Sequence, residues 1–475
     1  MPVRVNGKTR ADDFSESMGC VIVSNDRPLR SLNSEKVVAP IRVLLTDTAR
    51  WATSARVAIA LSQAGASVTI LCPDRHPALK TRAISGTMHF NSLHPLDSLQ
   101  EAIEACDPTI VIPCDDRSVE YSHELYSRAN LQRRGDITAL LSRSLGAVDG
   151  FPIVSSRYQL LKIARDEGIR VPDTTAISTF TDLEHLEDER KFPWVMKIDG
   201  TSGGLGVGIV ETRKMAERFF FQARNFHRTS RTLKRLIVNR DPFLLRPWWR
   251  RSKPDVIAQA HIPGYPANCA VVCWEGRILA GISVEVVSAT GPTGPASVVR
   301  VVNNPEMMTA AERIAQRLNL SGFFGLDFVM EAGTGNAYLI EMNPRCTPLC
   351  HLRLGKGRDL MGALVARLSG MPLQETPPVT ENDLIAYFPQ AWLSNSEFLN
   401  SSFQDVPWGE PDLAEELLRP WPNRGLVYSA YSSLWTRLQR NPLRGNPSGA
   451  PVVSNAANAS KDSGREMSGH RSAHS

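Results

Sequence analysis

Long apolar runs are missing from this sequence. No stretch approaches the roughly 18 consecutive apolar residues that a membrane span requires, so a membrane partner is not expected. The opening residues, MPVRVNGKTRADDFSESMG, lack the apolar core of a secretory signal. Cysteine is sparse, at 8 in 475 residues, which excludes a disulfide-stapled scaffold and makes a cytoplasmic location with reduced thiols the expectation. Charge of one sign is lacking too. Lys and Arg total 54 against 49 Asp and Glu, a net +5, far from the balance of a histone-like nucleic-acid binder. What is present is globular: 42% hydrophobic and 22% charged residues, in a length that corresponds to about three domains.

The pattern along the chain divides it into segments. Residues 1–39 are polar and without lasting period, and read as a disordered arm. From 40 to 150, short apolar runs alternate with amphipathic stretches. IRVLLT, SVTILC and TIVIPC are expected strands, with helices at Ser54–Ala64 and over LDSLQEAIEACD. That alternation implies a parallel sheet with helices on its faces. Its first βα turn, TDTARWATS, has no glycine fingerprint, which disfavours an ordinary NAD domain. Asp115 and Asp116 fall just past a strand end, where they either face a ligand or cap the next helix. From 151 to 370 the pattern changes. A helix runs over SSRYQLLKIARDEG to Gly168, and FPWVMKI and GIV form a hairpin. Strands are joined by turns at Gly264 and Glu275-Gly276; a helix is expected over Met308–Leu318, a hairpin over Leu326–Met342, and a helix over Arg358–Leu368. Residues 371–440 read as a less regular C-terminal extension, and 441–475, rich in Pro, Gly, Ser and Asn, as a disordered tail.

Two stretches carry chemistry. In MKIDGTSGGLGVGIV, glycines 200, 203, 204, 206 and 208 permit a tight flap whose N–H groups can approach phosphate oxygens, and Lys197 adds positive charge. It is not a P-loop, because no Gly-Lys-Ser/Thr opens a helix there. In GLDFVMEAGTGNAYLIEMNPR, a hairpin centred on Thr334 places Asp327 opposite Glu341, and strand alternation sets Asn343 on the same face. Two carboxylates and an amide oxygen form a hard donor set suited to Mg²⁺ held jointly with phosphates.

A strand Lys before a glycine flap, a Q-x-x-I-P-G stretch and D-F-x(12)-I-E-M-N-P-R, in that order, resemble the ATP-grasp superfamily, which includes biotin carboxylase, the carbamoyl-phosphate synthetase halves and D-alanine–D-alanine ligase. The resemblance covers about Ile41 to Leu368. It implies an α/β chain in which an N-terminal Rossmann-like parallel sheet (40–150) precedes an ATP-grasp fold, two α+β lobes gripping ATP (151–370). It implies ATP and Mg²⁺, with Mn²⁺ as the alternative ion. Lys197 would meet the α- and β-phosphates beneath a flap including Gly203, Gly204 and Gly206. Gln259, Ala260 and Ile262 would lie along the adenine edge. Asp327, Glu341 and Asn343 would hold metal, and Arg345 and Arg300 would steady the transferred phosphate or a substrate carboxylate. Arg157 stands where the family has a Lys, and Asn268 is the nearest polar group where the family has a ribose-binding Glu. The implied activity is carboxylate–amine (or carboxylate–thiol) ligation through an acyl phosphate, with small-molecule carboxylate and amine as partners and a homodimer as the assembly considered. A small-molecule kinase and a non-catalytic nucleotide-binding module are the rivals.

Other features read more plainly. Cys269/Cys273 and Cys346/Cys350 with His351 have zinc-compatible spacing, but the first pair lies in an apolar strand and structural thiols are the better reading. RPWWRRSK (Arg246 to Lys253) mixes Arg and Trp, yet one such run at this net charge does not make a nucleic-acid partner.

Overall fold

The computed structural model describes residues 41–199, 206–224, 255–290 and 294–419, all in the unit that begins at Ile41. The N-terminal arm, Gly200, Gly203 and Gly204 of the flap, the Arg246–Lys253 run, and the chain beyond Arg419 lie outside the described residues.

The first part is a four-stranded parallel sheet. Its elements are β1 (Arg42–Thr46), α1 (Ala52–Gln63), β2 (Ser67–Cys72), β3 (Gly86–His89), α2 (Pro95–Cys106), β4 (Ile110–Pro113), α3 (Asp116–Leu131) and α4 (Gly135–Leu145). The expected strands and helices stand where the apolar periods place them. β3 was not expected, because in GTMH only Met88 is apolar. Strand order is β3-β2-β1-β4. The order reverses at β1, so the loops after β1 and β4 meet at a switch point of the kind where open α/β sheets hold ligands. There Asp115 does cap α3, accepting from Ser118 N at 2.9 Å, and it also accepts from Thr48 N and Oγ1 at 3.1 and 2.5 Å. Asp115 thus joins the two loops, while its neighbour Asp116 points elsewhere.

A short α5 (Phe151–Val154) leads to α6 (Arg157–Asp166), which is capped by Ser156 and followed by Gly168 at φ +72°. Next come β5 (Thr174–Ile177), α7 (Phe180–Glu189), β6 (Trp194–Ile198), β7 (Val207–Val210), α8 (Arg213–Arg224) and β8 (Val256–Ala260). These form an antiparallel sheet of order β5-β8-β6-β7. Trp194, Met196 and Phe220 are buried between it and α7 and α8.

The remaining elements are β9 (Gly264–Trp274), β10 (Arg277–Ala289), β11 (Ala296–Val302), α9 (Pro305–Arg317), β12 (Gly322–Glu331), β13 (Ala337–Asn343), α10 (Leu360–Ser369), β14 (Leu384–Tyr387), α11 (Gln390–Leu393), β15 (Phe403–Asp405) and α12 (Pro411–Leu418). A seven-stranded sheet of order β13-β12-β9-β10-β11-β14-β15 results. The turn at Gly264 carries the chain from one sheet to the other, because β8 finds partners in β5 and β6 rather than β9. One reading from sequence changes. The stretch after Pro372 is irregular only to Asp383, after which β14 pairs with β11 and β15 with β14. Among the described residues no helix is long and apolar enough to cross a membrane.

The end of α4, beside the parallel sheet, meets the approach to β12 of the seven-stranded sheet at a seam where backbone touches backbone. Gly146, ending α4, bridges to Leu320, and Ala147 N donates to Asn319 O at 3.1 Å. A Cβ on Gly146 (φ +105°) would lie 2.4 Å from Asn319 O, and one on Gly322 (φ +84°) 2.6 Å from Ser144 O. Gly355, at φ +90° with open space around it, carries the backbone requirement without the clash. Urea unfolding of Gly146→Ala and Gly322→Ala is therefore expected to show losses of roughly 2 kcal/mol or more, and Gly355→Ala about 1 kcal/mol. Equal losses at all three positions would remove steric exclusion at the seam as the cause.

Candidate functional site

The β12–β13 hairpin supplies the centre. Asp327 pairs with Glu341, as the Thr334 symmetry predicts, and Asn268 on β9 pairs with Asp327 from the other side. The pairing depends on a bulge. Nearer the turn the partners are Phe328 with Leu339, so Ile340 is the extra residue. The Ile340 carbonyl accepts from Lys197 Nζ at 3.1 Å, bringing the end of β6 against the hairpin. Asn343, two residues beyond Glu341, donates to Asp327 Oδ2 at 3.0 Å.

Cations surround this group. Arg157, at the start of α6, places Nη2 and Nε 2.6 and 3.1 Å from Glu341 Oε1, and Nη1 donates to Ile198 O at 2.8 Å and Asp199 Oδ1 at 3.3 Å. Arg345 donates to Asn343 Oδ1 at 3.2 Å and clasps Asp116 through Nε at 2.7 Å and Nη2 at 3.3 Å. Asp116 thus reaches from the switch-point loop of the parallel sheet to the residue that follows the hairpin.

The electrostatics follow from burial and proximity. Desolvation, and then the charge of Glu341, push the Asp327 carboxyl up to about 6, against the pull of Asn343, Arg345 and Lys197. Burial draws the Lys197 ammonium down to about 8, although Glu341 favours its charge. Burial also disfavours the guanidinium of Arg345, yet Asp116 beside it outweighs this and raises its pKa.

Not every expected residue comes to this cluster. Arg300 pairs with Glu285, which stands opposite Ala267 and, beyond it, Phe328, so strand alternation sets it on the sheet face away from Asp327. It ion-pairs with exposed Asp383 at 3.4 Å instead. The Gln259 side chain is buried and donates to Thr174 Oγ1 at 3.4 Å, and Ala260 N donates to Asp173 O at 2.8 Å. Ile262 lies half-buried in the crossing between the two sheets. Gly206 (φ +73°) closes the β6–β7 turn, its carbonyl accepting from Ile198 N at 2.9 Å. Two participants were not singled out for the site by sequence reasoning. Asp199 shares a strand face with Lys197, which alternation could have shown. The Ile340 carbonyl depends on a bulge that no residue type announces.

Cys269 and Cys273 face the apolar core behind β9, and burial pushes both thiols up. Cys346 and Cys350 are buried with Cys114 between the parallel sheet and the hairpin exit. Among the described residues no group of three or more His, Cys, Asp and Glu side chains is placed to hold a metal ion, so any cation here would rely on the Asn343 amide and a bound ligand besides Asp327 and Glu341.

Comparison with known proteins bears on the fold that carries this cluster. Residues 154–348 match the family model of the ATP-grasp domain. Over that stretch the chain is similar to the ATP-grasp superfamily. It is 21% identical over 248 residues to the carbamoyl phosphate synthase large chain of Pyrococcus furiosus; the match takes in 51% of this chain and only 21% of that protein's length. Among solved structures, the fold is similar to the biotin carboxylase domain of Hydrogenobacter thermophilus 2-oxoglutarate carboxylase, which was solved with MgADP, ADP and bicarbonate (TM-score 0.51, 14% identity, 71% of each chain). It is also similar to the L-amino acid ligase of Bacillus licheniformis (TM-score 0.50, 13% identity, 71% of this chain and 76% of that one).

A carboxyl held near 6 is a cost to the ligand-free fold. Its pKa lies above that of an ordinary aspartate, so the folded form binds the extra proton and loses relative stability as pH rises through about 6. Asp327→Asn is therefore expected to raise the stability of the ligand-free protein at pH 7.5 by about 1–3 kcal/mol, and by less at pH 5. Denaturant midpoints at the two pH values check this; an equal gain at both would exclude the charge of Asp327 as its source.

Proposed function

We propose that the protein is an ATP-dependent ligase that joins a small-molecule carboxylate to an amine or thiol through an acyl phosphate, releasing ADP and phosphate. The observation that carries this reading is the facing pair Asp327 and Glu341, joined by Asn343 and bracketed by Lys197, Arg157 and Arg345. The donor set fits a hard cation: all its ligating atoms are oxygens, and burial, then the like charge of Glu341, raises the Asp327 pKa. Asp327, Glu341 and Asn343 would hold Mg²⁺, with Mn²⁺ able to replace it. When bound, such an ion supplies Lewis-acid neutralisation of the phosphate oxygens.

The chain's own residues do the positioning. Lys197 would hold the inner phosphates from β6, and the glycine turn that follows would close over them with its N–H groups. The crossing around Ile262 would line the adenine, and Asn268 would stand near the ribose. Arg345, held in place by Asp116, Asn343 Oδ1 and Cys346 O, would steady the substrate carboxylate by its charge and its remaining Nη1 N–H. A carboxylate oxygen oriented there attacks the terminal phosphorus, and ADP leaves. The nucleophile then attacks the acyl carbon, phosphate leaves, and the nucleophile's proton passes to solvent. Positioning and charge, rather than a protein nucleophile, carry the rate.

ADP release should depend on an acid substrate, found by screening carboxylate and amine pairs, and hydroxylamine should trap the intermediate as a hydroxamate. A kinase would instead give a phosphate ester that resists hydroxylamine, and a silent module would release no ADP. Glu341→Gln should abolish turnover with the fold retained. AMP and pyrophosphate as products would end the ligase reading.

Lys197 adds a pH signature. Free, it loses its proton near pH 8; beside phosphate its pKa must rise. Nucleotide binding at pH 8.5 is therefore expected to take up a proton, and affinity to fall as pH rises above 8. Calorimetry in buffers of different ionisation heat measures the uptake. Lys197→Ala should abolish it and weaken binding by roughly 1–3 kcal/mol.

A further inference from the structure

The guanidinium of Arg157 stands where a metal-facing oxygen should be open. Its Nη2 and Nε both reach Glu341 Oε1, and its Nη1 spans to Ile198 O and Asp199 Oδ1, at the root of the glycine turn. Its side chain is 11% exposed and that of Glu341 23%, so the pair is largely shielded from water and is not a surface contact. A lysine here would offer a point charge and could not fork across these three acceptors.

Charge counting sharpens the point. Around the paired acids Asp327 and Glu341, the cations Arg157, Lys197 and Arg345 already supply compensating charge, so a divalent ion entering alone gains little for its dehydration. A polyphosphate changes both terms. It brings several negative charges beside Lys197, and it offers Arg157 a bidentate partner stronger than one carboxylate oxygen.

We propose that Arg157 is a counter-cation that occupies Glu341 until a polyphosphate draws it away, so that the divalent cation enters only with the nucleotide. This rests on the nucleotide site proposed above. Arg157 then moves between two anionic partners at the two sides of its fork, and the Glu341 oxygen it leaves becomes a metal ligand. Free Mg²⁺ or Mn²⁺ is kept out of the empty site, and the acids are never left uncompensated.

Mn²⁺ binding to the full chain, followed by electron paramagnetic resonance with and without ADP, tests this. Without ADP, Arg157→Gln is expected to bind Mn²⁺ at least tenfold more tightly than wild type. Arg157→Lys, which keeps the charge, should stay within about threefold of wild type, and adding Glu341→Gln to Arg157→Gln should cancel the gain. Thermal melts check folding, and Arg157→Met serves if the Gln variant does not fold. Equal affinity for free Mn²⁺ in wild type and the uncharged variants, with MnADP still bound, would overturn the counter-cation role and leave the nucleotide site standing. A Lys variant that binds as tightly as the Gln variant would overturn it as well. Failure of every variant and of wild type to bind Mn²⁺ even with ADP would remove the metal site, and this proposal with it.

Discussion

Two carboxylates set opposite each other on neighbouring strands govern the whole site. Asp327 and Glu341 occupy one ladder position, so their separation is fixed by the sheet and cannot be relaxed by rotating a loop. Like charges so placed need opposite charge from somewhere, and much of the surrounding architecture serves that need. The bulge at Ile340 draws in Lys197 from a different sheet. The start of α6 delivers Arg157, and Asn343 bridges Asp327 to Arg345. Arg345 in turn reaches the parallel sheet through Asp116. Electrostatic compensation is thus also what links the parallel sheet, the smaller antiparallel sheet and the seven-stranded sheet around one point.

Much of this arrangement was legible in the sequence because it depends on short-range rules. The parallel strands are continuous apolar runs, Gly65 and Gly168 mark helix ends, and the symmetry about Thr334 places Asp327 opposite Glu341. What was not legible depends on partners distant in sequence. VIAQA and GYPAN read as consecutive strands, yet nothing local says that β8 joins β6 while β9 joins β12. The position of Arg300 depends on the same kind of information: its face is set by pairing with Glu285 and by the order of β10 and β9. The bulge that holds the register is likewise invisible in residue types, and the pairing read from symmetry stands because that one extra residue compensates for an off-centre turn.

The segment after Pro372 shows how tertiary contacts overrule a weak local pattern. Its strands are only four and three residues long, too short to carry a clear period. They are held by what they meet. Asp405 of β15 receives both Arg56 of α1 and His351, the latter at 2.8 Å, and Glu416 of α12 pairs with Arg50 in the loop after β1. Ion pairs buried in this way specify geometry more than they add stability. They tie the C-terminal part to α1 and to the loop after β1, which Asp115 joins to the loop that reaches the site.

Strand β14 has one more consequence, for anyone who would cut this protein at a boundary drawn by homology. The stretch that matches the ATP-grasp family ends at Pro348, well before Leu384. An excised piece with that end would leave β11 as an open edge, with the backbone groups of Val298, Val299 and Arg300 stripped of Ala386, Ile385 and Leu384. That edge reads ASVVRVV, β-branched over most of its length and with a single charge. Such a strand invites pairing between molecules, so a fragment trimmed to the matched stretch would tend to aggregate through β11.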